Sequence, residues 1–183
     1  MKKVSGKFKM INLKHHIDLP KRIKYSLVIT SDNIYSKIIK NEKFEDLSGK
    51  IAEDIIINSG NIIIEKIYLP NDLKTIREKV ETMINNPEID VIIVSGGTGI
   101  SRKDVSIEAI SPIFEKVLPG FGELFRFLSY NEIGTSAIAS RATAGIKNNK
   151  LIFLLPGSPD AIKLALEKII ISEAPHLIKM IRE

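Results

Sequence analysis

Four consecutive apolar residues from Val91 to Val94, followed at once by Ser95-Gly96-Gly97-Thr98-Gly99, constrain this chain more than any other stretch. An apolar run without alternation reads as a short strand buried on both faces, which belongs in the middle of a parallel sheet. The glycines end it abruptly, because they tolerate positive φ and let another molecule approach the bare backbone. Asp104 or Ser106 then offers a cap for the helix that follows. A strand, a glycine loop and a helix N-terminus make an anion site, since free amides and the helix dipole face the same point.

The loop departs from both common phosphate motifs. A Walker A loop requires a glycine directly before its lysine, and a dinucleotide fingerprint would require glycine where Arg102 stands. What the loop carries is the Thr98 and Ser101 hydroxyls, the Arg102 and Lys103 cations and the Asp104 acid. That set suits a phosphorylated ligand with a divalent metal, because arginine forks onto phosphate oxygens and a carboxylate holds Mg²⁺. A plainer alternative stays open, in which the glycines only make a tight turn and Asp104 only caps a helix.

The elements around this loop alternate. Tyr25–Thr30 reads as a strand ending in Ser31-Asp32, and Ile62–Leu69 as another, ending in Pro70-Asn71-Asp72. Helical spacing runs through Leu47, Ile51 and Ile55, with Asp46 and Ser48 as capping candidates, and again through Leu73, Ile76, Val80 and Met83. Residues 32 to 47 read as a long connection. Strand, helix, strand, helix, strand and glycine loop spell a three-layer α/β fold, a mostly parallel sheet with helices on both faces. Ligands of such sheets gather at the carboxyl ends of the strands, where all three polar clusters fall.

Further on, Ser106 to Phe114 reads as helical. Pro119-Gly-Phe-Gly-Glu123 reads as an interruption before a helix resumes at Leu124, and the small residues from Ser136 to Ala144 allow close packing of a helix or a neighbouring subunit. A small hairpin is expected around Lys147-Asn-Asn-Lys150, because asparagine accepts the left-handed turn conformation. Its second strand, 151 to 155, runs into Pro156-Gly157-Ser158, a second strand-to-helix loop of anion-binding type. A helix follows from Asp160 to about Ile170, and Pro175 is expected to open a short final one.

A chain of 183 residues with 44% hydrophobic content matches one core, so residues 25 to 183 are expected to form a single domain. Residues 1 to 24 form a basic arm: eight Lys/Arg against Asp18 give +7 within a net +5, leaving the rest at −2. The arm reads as a solvated or subunit-clasping tail rather than a nucleic-acid contact, because only Phe8 interleaves its charges. Cysteine is absent, which excludes disulfides and thiolate chemistry and agrees with a cytoplasmic protein. No apolar run approaches the length of a membrane span.

Together, Ser95-Gly-Gly-Thr-Gly with Arg102-Lys-Asp104, Pro119-Gly-Phe-Gly-Glu-Leu-Phe-Arg126, Ile133-Gly-Thr-Ser136, Ser140-Arg-Ala142 and Leu155-Pro-Gly-Ser158 resemble the MoaB/MogA family of molybdenum-cofactor biosynthesis proteins, the MoaB branch above all. The match runs from about Tyr25 to the C-terminus. The resemblance implies a molybdopterin-binding, Rossmann-like fold and an adenylyltransferase that uses Mg²⁺ and ATP to place AMP on molybdopterin, releasing pyrophosphate. It implies a homotrimer or hexamer, and hand-over of the product to a metal-insertion protein. A non-catalytic molybdopterin-binding carrier or scaffold of the same fold is the alternative.

By the same resemblance, Asp104 is the catalytic and metal-holding acid. Gly96, Gly97, Thr98 and Gly99, with Ser101 and Arg102 beside them, line the phosphate site; Ser31 and Asp32 match the residues after the first strand; Pro156, Gly157 and Ser158 match the second phosphate loop. One position departs. Relatives place an aspartate directly after the proline matching Pro70, whereas this chain has Asn71 and then Asp72, so either Asp72 substitutes as a catalytic acid or catalysis is weakened.

Overall fold

The computed structural model describes residues 19–183. Most of the expected basic arm therefore lies outside the described residues, but Ile23 is fully buried and Lys24 opens the first strand. Six strands, β1 (Lys24–Thr30), β2 (Ile62–Leu69), β3 (Val91–Ser95), β4 (Lys116–Val117), β5 (Thr143–Lys147) and β6 (Lys150–Leu155), form one sheet in the order β2-β1-β3-β6-β5-β4. The pairs β2–β1, β1–β3 and β3–β6 are parallel; β6–β5 and β5–β4 are antiparallel.

Successive side chains of β3 serve opposite faces, which is why its run needs no polar alternation. Val91 and Ile93 join a core built with α2 (Leu47–Asn58), α5 (Pro119–Ile133), α6 (Pro159–Ala165) and α7 (Ile171–Arg182). Ile92 and Val94 join a second core with α3 (Leu73–Ile84) and α4 (Ser106–Ile110). Each fully buried isoleucine or valine contributes about 2 kcal/mol of apolar transfer energy. This is the three-layer α/β architecture the alternation predicts. The hairpin is also present, with Asn148 and Asn149 at φ 49° and 59°.

Four elements differ from the sequence reading. Residues Asp32–Ile39 are not a loop but a helix, α1, capped by Ser31, whose Oγ accepts from Ile34 N at 3.3 Å. Ile34, Tyr35 and Ile38 recur at helical spacing along it, but they are only half-buried and the helix is eight residues long, so the stripe is short. Pro119 does not interrupt a helix but occupies the first turn of α5, where its missing N–H costs nothing. Gly122 lies inside α5 because a Cβ there would come within 2.7 Å of Ala142 O. Helix α4 ends at Ile110 and tightens into a 3₁₀ turn, Ser111–Ile113, with Pro112 inside it. Pro175 opens nothing; it lies within α7, which continues from α6 through a π turn at Leu166–Ile170.

Candidate functional site

At the carboxyl edge of the sheet the backbone leaves β3 at Ser95 and crosses directly over β1. Gly96 has φ 107°, and a Cβ there would lie 2.3 Å from Thr30 O. Gly97 has φ 62°, and its Cβ would lie 2.5 Å from Ser106 Oγ and 3.1 Å from Asn71 Oδ1. Both glycines are therefore required twice, by conformation and by space. Beneath them Thr30 and Ser106 are buried, with their hydroxyl oxygens 3.5 Å apart.

The second loop locks onto the first. Gly96 N donates to Leu155 O at 2.9 Å, Ser95 Oγ to Pro156 O at 3.3 Å, and Ser48 Oγ on α2 to Gly157 O at 2.7 Å. Among the described residues the amides of Gly97, Thr98 and Gly99 have no protein acceptor. Between the loops opens a cleft of about 350 Å³, lined by Gly97, Thr98, Gly99, Asp104, Pro156, Gly157 and Ser158 and walled by Phe125, Ser129 and Ile133 of α5 with Ala139 and Ser140. An apolar wall facing a rim of free amides suits a ligand with a flat organic part and a phosphate.

The residues singled out from the sequence fall into three groups. Gly97, Thr98, Gly99, Asp104, Pro156, Gly157 and Ser158 share the cleft, with Gly96 as its crossing point. Ser101 and Arg102 face a neighbouring hollow that also holds Ile100, Glu108 and Arg141; Asp104 borders both spaces. Ser31, Asp32 and Asp72 line neither, because each is engaged elsewhere. Ser31 caps α1, and Asp32 Oδ1 accepts Asn71 N at 2.8 Å, tying the loops after β1 and β2 together. Asp72, the expected substitute acid, is the N-cap of α3. Its Oδ1 accepts from Thr75 N at 2.8 Å and Thr75 Oγ1 at 2.6 Å, and the Thr75 hydroxyl holds its carboxyl below the usual carboxylate range.

Asn71, by contrast, turns toward the loop. Its Oδ1 is buried without a donor among the described residues. Asp104 caps a turn rather than a helix: one carboxylate oxygen accepts Ser101 N at 2.9 Å, while α4 starts after Val105 without a side-chain cap. Ser158 Oγ caps α6 by accepting Ala161 N at 3.3 Å.

Sequence reasoning missed the α5 wall and the pair Arg141–Glu108. Arg141 donates to Gly99 O at 2.8 Å, to Thr98 O and Asp104 O at 3.3 Å, and to both oxygens of Glu108. Its hydrogen bonds hold the Glu108 carboxyl below the usual range. The available signal was that Arg141 is the one charge within a run of small residues.

Glycine loop, cleft and sheet order define a three-layer α/β domain with a cleft at the carboxyl edge of its sheet, and the family described as "Probable molybdopterin binding domain" matches residues 26–176. The chain belongs to that family, within the MoaB/MogA group of molybdenum-cofactor biosynthesis proteins. A "Probable molybdopterin adenylyltransferase" of Methanocaldococcus jannaschii is 41% identical over 165 residues, covering 89% of this chain and 96% of the relative. "Molybdenum cofactor biosynthesis protein B" of Bacillus subtilis is 42% identical over 139 residues, 75% of this chain and 82% of its own. The crystal structure of the "tungsten cofactor synthesizing protein MoaB from Pyrococcus furiosus" superposes with a TM-score of 0.77 at 37% identity, covering 90% of this chain and 99% of that one.

Proposed function

We propose that this chain is a molybdopterin adenylyltransferase. A terminal phosphate oxygen of molybdopterin attacks the α-phosphorus of ATP, the bond from that phosphorus to the β-phosphate bridging oxygen breaks, and AMP-molybdopterin and pyrophosphate result. The observation that carries this reading is the single cleft in which unused loop amides, an apolar wall and Asp104 meet. Such transfer needs in-line placement and charge neutralisation rather than a protein nucleophile.

The residues fit Mg²⁺. The Asp104 carboxylate and the orphaned carbonyl of Asn71 are hard oxygen donors near the loop. No group of three His, Cys, Asp or Glu gathers among the described residues. Phosphates and water would therefore complete the coordination, as is usual for this ion. When bound, Mg²⁺ supplies charge neutralisation on the phosphates. The loop amides hold the anion, and the α5 wall excludes water from one side.

A chain incubated with molybdopterin, Mg²⁺ and ATP is expected to form AMP-molybdopterin. Binding of molybdopterin without any adduct would move it to the carrier or scaffold reading, which Asn71 in place of the acid favours.

We further propose a homotrimer, or a hexamer built from two trimers, that passes its product to a metal-insertion protein. Ala137, Ala142 and Ala144 of the small-residue run are buried within the subunit itself. The contact is therefore better assigned to the exposed apolar Phe127, Tyr130, Ile133 and Ile138. Light scattering on the full chain and on one starting at Arg22 separates the role of the arm: equal masses remove it.

A further inference from the structure

The guanidinium of Arg141 donates to the carbonyls of Thr98 and Gly99 in the glycine loop and of Asp104 beyond it, yet it borders the hollow beside the loop rather than the cleft. We propose that Arg141, itself held by Glu108, is a positioning residue that sets the direction of the Gly99 amide at the rim of the cleft and thereby shapes the cleft as an anion site. The inference deepens the adenylyltransferase reading, on which it rests for the identity of the anion.

The geometry follows from the planar trans peptide. In each such unit the C=O and the following N–H point in opposite directions. Arg141 takes the carbonyls of Thr98, Gly99 and Asp104, so the N–H groups of Gly99, Ile100 and Val105 are turned away from it, and of these three residues Gly99 is the one that lines the cleft. For a loop containing Gly97 and Gly99, with little intrinsic preference, such a tie selects one orientation among several. A planar fork with fixed donor directions does this; a lysine, a flexible point charge, cannot hold three carbonyls in set directions.

Glu108 completes the device. It binds the guanidinium through both oxygens, and this pairing lowers its own pKa while raising that of Arg141. The arginine is thus charge-compensated on the hollow side. It acts as a brace for the backbone and not as a competing anion ligand, whereas Arg102 carries no such partner role in the loop geometry.

The test uses the full chain, ¹⁵N-labelled, with inorganic pyrophosphate as the probe. Arg141→Lys is expected to shift the Gly99, Ile100 and Val105 amide resonances of the ligand-free protein and to weaken pyrophosphate binding about tenfold. Its thermal midpoint should stay within about 3 °C of the parent, because the side chain is partly exposed. Glu108→Gln should give the same shifts and a loss of about threefold, which covers the case in which Arg141→Lys folds poorly. Ligand-free resonances unchanged in both variants would overturn the proposal, and so would parental affinity in both. If the parent chain binds no pyrophosphate, the adenylyltransferase reading fails, while the ligand-free spectra still decide whether Arg141 sets the loop.

Discussion

The two edges of the sheet use the same kinds of residue for opposite ends. At the carboxyl edge, Asp104 borders an open cleft, and among the described residues three consecutive amides have no protein acceptor and the carbonyl of Asn71 has no donor. At the amino edge, Asp90 is 7% exposed, with Lys24 N on one oxygen at 2.9 Å and Arg182 on the other. Beside it the buried Lys150 donates to Ile89 O at 2.6 Å. Polar groups satisfied inside the protein fasten the C-terminal helix to the sheet; polar groups left unsatisfied at a cleft are held for a ligand. A carboxylate after or before a central strand is therefore not a functional signal until its partners are known.

The sharpest way to break this contrast is to neutralise each acid. Asp104→Asn should reduce adenylation by about a hundredfold or more, because the proposed work is charge at the metal, and leave thermal stability nearly unchanged. The asparagine carbonyl can still accept Ser101 N. Retained turnover, measured as AMP-molybdopterin formed, would end the catalytic assignment. Asp90→Ala should do the reverse. It strands Lys24 N–H and frees Arg182, at about 2 kcal/mol, or a midpoint about 6 °C lower by calorimetry, with activity per folded molecule intact.

The amino half of β1 also holds two misfits among the described residues, the buried hydroxyl of Ser26 and that of Tyr25, which likewise has no partner there. Burial, and then the charge of Asp90, raises its pKa well above the ordinary 10.0. The unfolded tyrosine releases its proton near pH 10 while the folded one keeps it, so this contribution is complete below pH 10 and is lost as pH rises toward the folded value. Lys150, whose pKa burial lowers, has the opposite slope just below its ordinary 10.5. Tyr25→Phe isolates the tyrosine. It should flatten the alkaline decline in denaturant titrations and, at neutral pH, be neutral or stabilising by up to about 1 kcal/mol. A steeper decline would contradict the buried neutral hydroxyl.

The smallest effects are expected between the edges, at the pair after Pro70. Asp72→Ala removes the α3 cap and should lower thermal stability slightly while leaving adenylation within about twofold. A severe loss of turnover would return Asp72 to the site. Asn71→Asp should leave adenylation equal or raise it by a few-fold, since it adds charge where only a carbonyl stands.

Local pattern alone specified a good deal of this protein. The unalternating Val91–Val94 run, the two flanking strands and the helical stripes after them are apolar periodicities, and burial on both sheet faces is what such periodicities encode. Asn148-Asn149 announced the hairpin for the equally local reason that asparagine accepts positive φ. The glycine loop and Pro156-Gly157-Ser158 could be placed at the carboxyl edge because each follows a strand, and parallel strands bring those ends to one edge.

What tertiary structure alone decided was which polar group each side chain would meet. Helix α1 half-buries Ile34, Tyr35 and Ile38 over only eight residues, a stripe too short to separate from a loop; Pro119 and Pro175 look alike as punctuation but occupy a first turn and a helix interior. Asp72 and Asp104 are both acids after strands, yet one meets its own helix and the other a cleft. Arg141 reaches the loop across 42 residues of chain from Gly99. Hydrogen-bond partners at that separation depend on how strands and helices pack, and no periodicity of 2 or 3.6 residues records them.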